Sequence, residues 1–432
     1  MDKKTNKPYQ PVPVSELEIG MFVAKLDRPW SDTPFRFEGF EILSNSEIEL
    51  LADHCDFVYV DASFTSTSST ARHAARRRRG DDVGTSSESL ELLSLQRVHL
   101  AQALSQDAPH EYQTPVKIRQ EAPQAREAFA HAREGTQTLM QALKARRAVE
   151  ARHVRGIMEP VLHSIARNPD PMVWLANQAK AQSGTVDRQV GTAIWLAVMG
   201  RYLELSPPLL LDIAAGGLLL DLGMTRMAAS LRDVSRSYSG KQRVAVRAHV
   251  RLGLELLDGI TGVTERVRLM VAQHQERMDG SGYPAGLAKD EISMFGAVAA
   301  VADCYDAMIS ELPYSPARST GDAITELNRL SGETFSGLVV EQFVQALGWF
   351  PCGSIVELNT GDIAVVAAQN PEHRLRPHLL VVAGKDRQRL PSAKSLKLSQ
   401  FETDQSRDDA IWIVKSFPFG SLAFDIHQYF AA

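Results

Sequence analysis

The sequence predicts a mainly α protein, a bundle of helices with a small N-terminal α+β domain and a small β-rich C-terminal segment. Residues 116–165 and 170–348 are rich in helix-forming residues and contain few helix breakers. Residues 12–62 and the chain after Pro351 instead contain short β-branched runs separated by Gly, Pro and Asn. The length of 432 residues, 44% of them hydrophobic, is enough for two or three domains.

Composition limits the possible partners and compartments. The net charge of −5 gives no sign of a protein that binds nucleic acid polymers. The three cysteines, Cys55, Cys304 and Cys352, are too far apart for a disulfide framework or a zinc knuckle, which is typical of a reducing cytoplasm. The longest apolar stretch, around 207–224, contains two aspartates and is predicted to be a buried helix. We therefore expect a cytoplasmic protein without a membrane span.

The first half of the chain divides into three predicted segments. Residues 1–62 form the small α+β domain, with short strands and one short helix over 47–55. Residues 63–115 are rich in Ser and Thr and predict a disordered, low-complexity linker. The arginine run Arg76–Arg79 in this linker is either a solvated charge cluster or a site for phosphates or acidic lipid. Residues 116–169 predict one or two connecting helices.

The connecting helices offer one possible route to a homodimer. Apolar positions recur loosely through residues 116–165, but no heptad is sustained, so both joining of domains and dimerisation remain open. Residues 170–348 are predicted to form the helical domain itself. Residues 349–432 are predicted to form the β-rich extension, in which 354–358 and 363–367 form a hairpin.

Four side chains lie where an isolated polar group should not. Asp221, His249, His274 and Asp303 each lie in an apolar segment or on the apolar face of a predicted helix. A lone buried His or Asp is more often a hydrogen-bonded core residue, but two carboxylates and two imidazoles on four inward faces would together bind a divalent cation. Mixed nitrogen and oxygen ligands suit Fe, Mn, Zn or Ni.

Residues 274–287 carry the most specific motif. They read His-Gln-Glu-Arg-Met-Asp-Gly-Ser-Gly-Tyr-Pro-Ala-Gly-Leu, which closely resembles the signature of the HD-GYP family, metal-dependent phosphodiesterases that act on cyclic-di-GMP. The resemblance extends over roughly 180 residues and implies an HD-domain helical bundle. Residues 12–62 resemble a domain of unknown function that is often fused to HD-GYP domains. That second resemblance rests on Gly20-Met21, Leu26-Asp27, Pro29-Trp30 and Gly39-Phe40.

The resemblance implies which metal ligands remain and which are lost. The positions that match the family's ligands are Asp221, His249, His274 and Asp303, with Asp221 as the group that bridges two metals. The positions that differ are Arg188 and Leu220 in place of histidines, Met224 in place of a lysine, Gln275 in place of a histidine, and Gly184 in place of an upstream acidic ligand found in some members. We therefore expect one divalent metal or none.

Two of these differences affect the chemistry directly. Arg188 would direct a fixed positive charge at the place of a cation and would pair with Asp221 or Asp303. Relatives carry Arg-Pro-Tyr-Arg after the GYP turn, whose basic residues face the phosphates, whereas this chain has Leu312-Pro-Tyr-Ser315. The family's reaction needs two metals and positive charge around the phosphate, so no residue is assigned as catalytic.

The glycine-rich turn has two interpretations. Its residues are Asp279, Gly280, Gly282, Tyr283 and Pro284. It is either a structural loop that closes over the bundle or, as the resemblance implies, a loop that contacts other signalling proteins.

The sequence as a whole predicts a degenerate HD-GYP protein of bacterial cyclic-di-GMP signalling, a catalytically impaired binding or scaffold module. The alternative is a metal-dependent cyclic-dinucleotide phosphodiesterase that retains activity with a reduced metal site. The predicted partners are cyclic-di-GMP or other signalling proteins.

Overall fold

The structure is a computed structural model. It describes residues 9–19, 21–28, 40–42, 45–61, 100–102, 104, 107–112, 116–180, 184–228, 231, 238–312, 315–370, 376–400, 410–422 and 429–430. Most of the predicted linker, the arginine run, Gly20, Pro29-Trp30, Gly39 and Pro313-Tyr314 lie outside these residues. The fold class is confirmed: the chain is mainly α, with small strand-rich segments near both termini.

The N-terminal segment is a four-stranded antiparallel sheet with one helix. Its elements are β1 (Tyr9–Pro13), β2 (Phe22–Leu26), β3 (Phe40–Glu41), α1 (Asn45–His54) and β4 (Phe57–Asp61). The strand order is β1-β4-β2-β3. Helix α1 begins two residues before the predicted start. Apolar residues of the strands and of α1, among them Val23, Leu51 and Val58, form a small core separate from that of the helices.

Helices make up the centre of the chain. They are α2 (Ile118–Lys144), α3 (Ala151–Arg167), α4 (Pro169–Ala179), α5 (Thr185–Tyr202), α6 (Pro207–Leu219), α7 (Gly240–Arg247), α8 (His249–Leu257), α9 (Glu265–Gln273), α10 (Met294–Ile309), α11 (Thr320–Arg329) and α12 (Gly337–Leu347). A two-stranded parallel ladder, β5 (Val149–Glu150) with β6 (Ile260–Thr261), ties the α2–α3 junction to the segment before α9. Helices α5, α6 and α10 are buried on most sides, which agrees with their largely apolar sequences.

The apolar stretch around 207–224 is a buried helix and turn, as predicted. Pro207–Arg226 is long and apolar enough to cross a membrane by length and composition, but 61% of its most apolar window is buried inside the protein. Leu209, Ile213 and Leu218 are among the residues that pack into the core. The apolar stretch therefore packs inside the bundle.

The two connecting helices pack against the bundle. The apolar stripe of α2 is buried in the chain's own core, and so is that of α3. A bidentate ion pair between Arg167 and the buried Glu121, 2.7 Å at each contact, also holds α3 to α2. A homodimer through 116–165 stays a prediction, and it would have to use the polar faces of these helices.

The C-terminal extension is a five-stranded antiparallel sheet. Its strands are β7 (Ile355–Leu358), β8 (Ile363–Ala368), β9 (His378–Ala383), β10 (Arg389–Lys397) and β11 (Ile413–Phe417). The order is β10-β9-β8-β7-β11, and β7 and β8 form the predicted hairpin. Strands β7, β8 and β9 share the hydrophobic core of the bundle. The side chain of Asn177 on α4 donates a hydrogen bond to the Cys352 carbonyl at 2.8 Å and anchors the sheet.

Candidate metal centre

Asp221 lies in a tight turn between α6 and a short 3-10 segment, Leu222–Arg226. The turn lies against the start of α8, because a Cβ on Gly223 would come within 1.9 Å of the His249 carbonyl oxygen. Glycine is therefore needed at 223 for the backbone of the turn to approach α8 this closely. This approach places the Asp221 carboxylate beside the His249 imidazole.

Two imidazoles face the carboxylate from neighbouring helices. His249 is the first residue of α8, and His274 follows the last residue of α9. The Nδ1 atoms bond to the carbonyl oxygens of Val246 and Val271, at 2.8 and 2.9 Å. A carbonyl only accepts, so each Nδ1 must carry the proton and donate it. Each Nε2 is then left with a free lone pair that points into the site.

The three side chains are close enough to share one ion. The two Nε2 atoms are 3.2 Å apart, and Asp221 Oδ1 lies 3.6 Å from His249 Nε2 and 4.0 Å from His274 Nε2. Within the described ranges, Asp221, His249 and His274 are the group of potential ligands whose atoms all lie within 4.8 Å of one another. The sequence predicted these three residues as ligands, and the fold brings them together.

Protonation of His274 does not resolve the contact between the two imidazoles. Burial, with the positive charge of a protonated His249 adding to it, lowers the pKa of His274 to about 3. His274 is therefore neutral at physiological pH, and its Nε2 lone pair faces His249 Nε2 at 3.2 Å. A cation between them removes this repulsion.

The donor set fits a divalent transition metal. Two atoms bound about 2.1 Å from one ion at an angle near 100° lie about 3.2 Å apart, which is the separation of the two Nε2 atoms. Backbone carbonyls already fix both imidazole tautomers, which is the usual outer support of histidine ligands. Two imidazole nitrogens and one carboxylate oxygen suit Fe, Mn, Zn or Ni better than Mg or Ca.

The other side of the same cavity is occupied by the protein's own donors. Asp303 on α10 accepts a hydrogen bond from Arg188 Nη2 at 3.2 Å and another from Gln275 Nε2 at 2.9 Å. Both carboxylate oxygens of Asp303 are thus bound by the residues that stand in place of the family's histidines. The sequence predicted Asp303 as a ligand, and in this structure its oxygens face nitrogen donors.

Arg188 lies among three carboxylates. Besides Asp303, its guanidinium lies 3.4 Å from Asp221 Oδ2 and 3.4 Å from Asp306 Oδ2. The sequence predicted that Arg188 pairs with Asp221 or Asp303, and in the structure it contacts both. Asp221 bridges the two sides, since Oδ1 faces the imidazoles and Oδ2 faces Arg188. A second cation does not fit here while Arg188 keeps this position.

The two aspartates of this site have pKa values shifted in opposite directions. Burial pushes the pKa of Asp221 upward, but neighbouring positive charge, above all that of Arg188, holds the pKa below its ordinary value. Burial and the nearby negative charge of Asp221 raise the pKa of Asp303 to about 6. The fixed charge of Arg188 therefore keeps Asp221 in the ionised form that a metal requires.

A buried network, which the sequence did not predict, supports Arg188 from behind. Asp306 is fully buried, forms an ion pair with the equally buried Lys180, and accepts a hydrogen bond from Trp195 Nε1 at 2.9 Å. Burial lowers the pKa of Lys180, and Asp306 opposes that shift. One signal was available, because Asp306 follows Asp303 by three residues and shares its helix face.

The GYP loop is fixed by a residue that the sequence did not single out. Glu276 is 1% exposed, and its carboxylate accepts hydrogen bonds from the backbone N–H groups of Ala285 at 2.7 Å and Leu287 at 3.0 Å. Gly280 has a φ of +76°, and a Cβ on Gly282 would lie 2.4 Å from the backbone of Arg277. Both glycines are needed for the shape of the loop.

The loop lies over the site through its tyrosine. The Tyr283 ring centroid lies 6.1 Å from that of His249, and the Arg247 guanidinium carbon lies 4.9 Å from the Tyr283 ring centroid. Asp279 and Pro284 are exposed, so the far side of the loop faces solvent. The loop therefore covers the histidine side of the cavity and also presents an outer surface.

The remaining predicted positions lie around the cavity. Leu220 is buried in the core, and Gly184 is an exposed residue at the start of α5. Met224 lies on the 3-10 segment and lines a separate cavity beside α2 and α5. Leu220 and Gly184 offer no metal ligand, and the thioether of Met224, which could bind only a soft metal, lines a different cavity.

Parts of the chain are similar to known proteins. Residues 165–337 match the HD domain, and residues 9–154 match a domain of unknown function, DUF3391. A cyclic di-GMP phosphodiesterase of Pseudomonas aeruginosa is 26% identical over 86% of this chain and 84% of its own length. A cyclic di-GMP phosphodiesterase of Thermotoga maritima is 38% identical over 23% of this chain and 27% of its own length. An HDG"Y"P protein from Bdellovibrio bacteriovorus covers 78% of this chain and 98% of its own with a TM-score of 0.33 and 13% identity.

The family assignment combines the matches with the residues of the site. The HD domain match includes Arg188, Asp221, His249, His274 and Asp303. The DUF3391 match includes the N-terminal sheet and α2. The chain therefore contains an HD domain that follows a DUF3391 domain, and it is similar along most of its length to a cyclic di-GMP phosphodiesterase.

Proposed function

We propose that this chain is a degenerate HD-GYP protein of cyclic-di-GMP signalling that binds at most one metal ion and acts as a binding or scaffold module. The main support is Arg188, whose guanidinium lies within 3.4 Å of carboxylate oxygens on Asp221, Asp303 and Asp306. Its fixed charge takes the place of a second cation, so the two-metal clamp on an attacking and a leaving oxygen cannot form.

The proposed ligand is cyclic-di-GMP, and the proposed protein contact is the GYP loop. The named relatives are phosphodiesterases of that dinucleotide, which supports the choice of ligand. The exposed outer side of the loop, held by Glu276, supports the choice of contact. Arg247, on the rim over Tyr283, would supply positive charge to a phosphate there.

A second function has its own support. Asp221, His249 and His274 keep a donor set for one ion, and a single bound ion would supply Lewis acidity to a phosphodiester. In that case Asp221 and the histidines would hold the ion, Arg188 would stabilise negative charge on the phosphate, and Tyr283 would limit access of water. This chain would then be a phosphodiesterase with a reduced metal site.

One set of measurements separates the two functions. The purified chain is analysed for metal content and incubated with cyclic-di-GMP and added Mn²⁺ or Fe²⁺. The proposal expects about one metal ion per chain at most, saturable binding of the dinucleotide, and no linear dinucleotide or GMP above the background without protein. Steady turnover by the wild-type chain would establish the phosphodiesterase instead.

A restored variant provides the matched comparison. Arg188→His, Leu220→His, Met224→Lys and Gln275→His together return the family's residues, and we expect the variant to bind a second metal ion. His274→Ala in the wild-type background is the opposite control, and it should lower metal affinity by roughly a hundredfold or more because a first ligand is lost. Wild-type metal content in both variants would contradict the proposed site.

A further inference from the structure

Lys180 is a buried cation that lies behind Arg188. Its side chain is 0% exposed, and its ammonium forms an ion pair with Asp306, whose side chain is also 0% exposed. Asp306 Oδ1 accepts from both Lys180 Nζ and Trp195 Nε1, whereas Asp306 Oδ2 lies 3.4 Å from Arg188 Nε. One buried carboxylate therefore joins Lys180 to Arg188.

Helix α5 leaves space for this ion pair one turn after Arg188. A Cβ at Gly191 would lie 2.6 Å from Lys180 Nζ and 2.7 Å from Asp306 Oδ1, so the missing side chain at 191 is the space that the pair occupies. The pair carries no net charge as a unit, wherever the proton between its two members lies. Lys180 therefore neutralises Asp306, and the positive charge of Arg188 remains for the carboxylates of the metal centre.

We propose that Lys180 is a positioning residue for Arg188: by neutralising Asp306, it keeps the guanidinium beside Asp221 and Asp303, where the guanidinium excludes a second metal ion. This inference rests on the proposed function, in which Arg188 takes the place of that ion. Without Lys180, Asp306 would be a buried carboxylate in need of positive charge, and Arg188 is already within 3.4 Å of it. The guanidinium would then move toward Asp306 and away from Asp303.

Movement of Arg188 would release oxygens on both aspartates of the metal centre. Asp303 Oδ1 and Asp221 Oδ2 are the atoms that the guanidinium contacts, at 3.2 and 3.4 Å. Gln275 would continue to donate to Asp303 Oδ2. Carboxylate oxygens with added water suit Mn²⁺. Lys180 thus sets how many ions the site holds, and it acts through Asp306 and Arg188.

The test is a Mn²⁺ titration of the full chain and of Lys180→Met, in which electron paramagnetic resonance measures the free ion. We expect the variant to bind a second ion at least about tenfold more tightly than the wild type does, because the positive charge beside Asp303 has moved away. Added Mn²⁺ should also raise the Tm of the variant more than that of the wild type. A wild-type chain that itself binds two ions tightly would contradict the proposed function, whatever the variant does.

A double variant separates positioning from a purely structural role. Lys180→Met with Asp306→Asn removes both charges of the pair, so Arg188 should return to Asp221 and Asp303 and Mn²⁺ binding should return to that of the wild type. A general loosening of the fold would not be reversed by the second substitution.

The matched control breaks a different ion pair with a buried carboxylate. Arg167→Met leaves the buried Glu121 between α2 and α3 without its bidentate partner. This variant should lower the Tm and leave Mn²⁺ binding unchanged, because neither residue contacts Arg188.

A milder variant tests the proposal even if Lys180→Met fails to fold. Trp195→Phe keeps an aromatic ring but removes the N–H that donates to Asp306 Oδ1 at 2.9 Å, so it should tighten binding of the second ion in the same direction, by about threefold. Two results would overturn the proposal while leaving the proposed function intact. One is Mn²⁺ binding by Lys180→Met, or by Trp195→Phe if the first variant is unfolded, that equals binding by a one-ion wild type. The other is a second ion that persists in the double variant.

Discussion

The two sides of the cavity around Asp221 have the same architecture but opposite chemistry. On one side, Nδ1 of His249 and Nδ1 of His274 each donate a hydrogen bond to a backbone carbonyl. The Nε2 lone pairs of the two imidazoles therefore point toward each other, with the Nε2 atoms 3.2 Å apart. On the other side, both oxygens of Asp303 already accept hydrogen bonds, from Arg188 and from Gln275. The first side offers acceptors without a donor, and the second side has its acceptors satisfied.

The difference lies in what supplies positive charge to each half of the cavity. A buried carboxylate pair needs positive charge, and either a metal ion or a guanidinium can supply it. Because Arg188 supplies positive charge to Asp221 and Asp303, the half of the cavity around Asp303 can stay folded without a metal ion. The histidine half has no internal cation of this kind among the described residues, so its need for an ion remains.

The largest expected effect comes from removing the internal cation. Arg188→Met leaves Asp221, Asp303 and Asp306 without the guanidinium, and we expect the free energy of unfolding to fall by about 3 kcal/mol, the lower end of the range for a broken buried pair, because Arg188 is 20% exposed. Added Mn²⁺ should restore part of this loss by binding in the vacated place. Urea unfolding with and without Mn²⁺ measures both effects.

The control for this prediction is an exposed ion pair. Arg329 pairs with Glu326 on the surface of α11, so Arg329→Met should change the free energy of unfolding by less than about 1 kcal/mol and should not respond to Mn²⁺. If Arg188→Met were as stable as the wild type and bound no more metal, Arg188 would not be the group that takes the place of a cation beside Asp303.

The histidine side predicts a loss of stability in acid. The pKa of His274 is lowered to about 3 in the folded chain, whereas an unfolded histidine has a pKa near 6.5. The unfolded chain therefore takes up the proton first as the pH falls. The contribution of His274 to the free energy of unfolding does not change above about pH 6.5. Below that pH the free energy of unfolding falls, by about 3 kcal/mol at pH 4.

This acid effect is measured on metal-free protein in the presence of a chelator. The free energy of unfolding is compared between the wild type and His274→Gln from about pH 7 to pH 4, and the difference between the two chains isolates His274 from other titrating groups. We expect the wild type to lose stability more steeply. Parallel curves would contradict the assignment of a neutral, buried His274.

A backbone contact predicts the next effect. Gly223→Ala places a Cβ 1.9 Å from the His249 carbonyl oxygen, so the Asp221 turn must move away from α8. We expect a loss of about 2 kcal/mol in the free energy of unfolding and weaker metal binding. Gly240→Ala, at an exposed glycine whose added Cβ would meet nothing within 4 Å, should leave both nearly unchanged.

The smallest effect is expected at Gln275. Gln275→Leu removes the hydrogen bond to Asp303 Oδ2 but keeps the contact of Asp303 with Arg188, so we expect a loss of about 1 kcal/mol in the free energy of unfolding. Metal binding by Asp221, His249 and His274 should persist, as measured by titration with Mn²⁺. If Gln275→Leu lowered the free energy of unfolding as much as Arg188→Met, the Gln275 amide, and not the Arg188 guanidinium, would be the main group that stabilises Asp303.

The sequence alone predicted the site residues that neighbouring residues in the chain identify. Asp221, His249 and His274 could be predicted because each is a polar residue within an apolar segment or face, and burial of such a face is set by helical periodicity. The mainly α fold and the β7–β8 hairpin could be predicted for the same reason, since both follow from short-range patterns and turn residues.

The partners of these residues could not be predicted from local patterns. Lys180 and Asp306 are 126 residues apart in sequence, and nothing near either residue identifies the other. Asp303 shows the same limit, since its place in the site was predicted but the donors that bind it come from two other elements. The resemblance to HD-GYP proteins gave the position of Arg188, and only the fold gave its three contacts.

The anchoring of the GYP loop by Glu276 has a consequence for recognition. The buried Glu276 carboxylate accepts hydrogen bonds from the loop backbone at Ala285 and Leu287. Glu276 is not one of the proposed metal ligands. The path of the loop backbone at Ala285 and Leu287 is therefore fixed by a residue outside the Asp221, His249 and His274 cluster. Under the proposed function, such a loop would keep its outer surface for a partner without any need for catalysis.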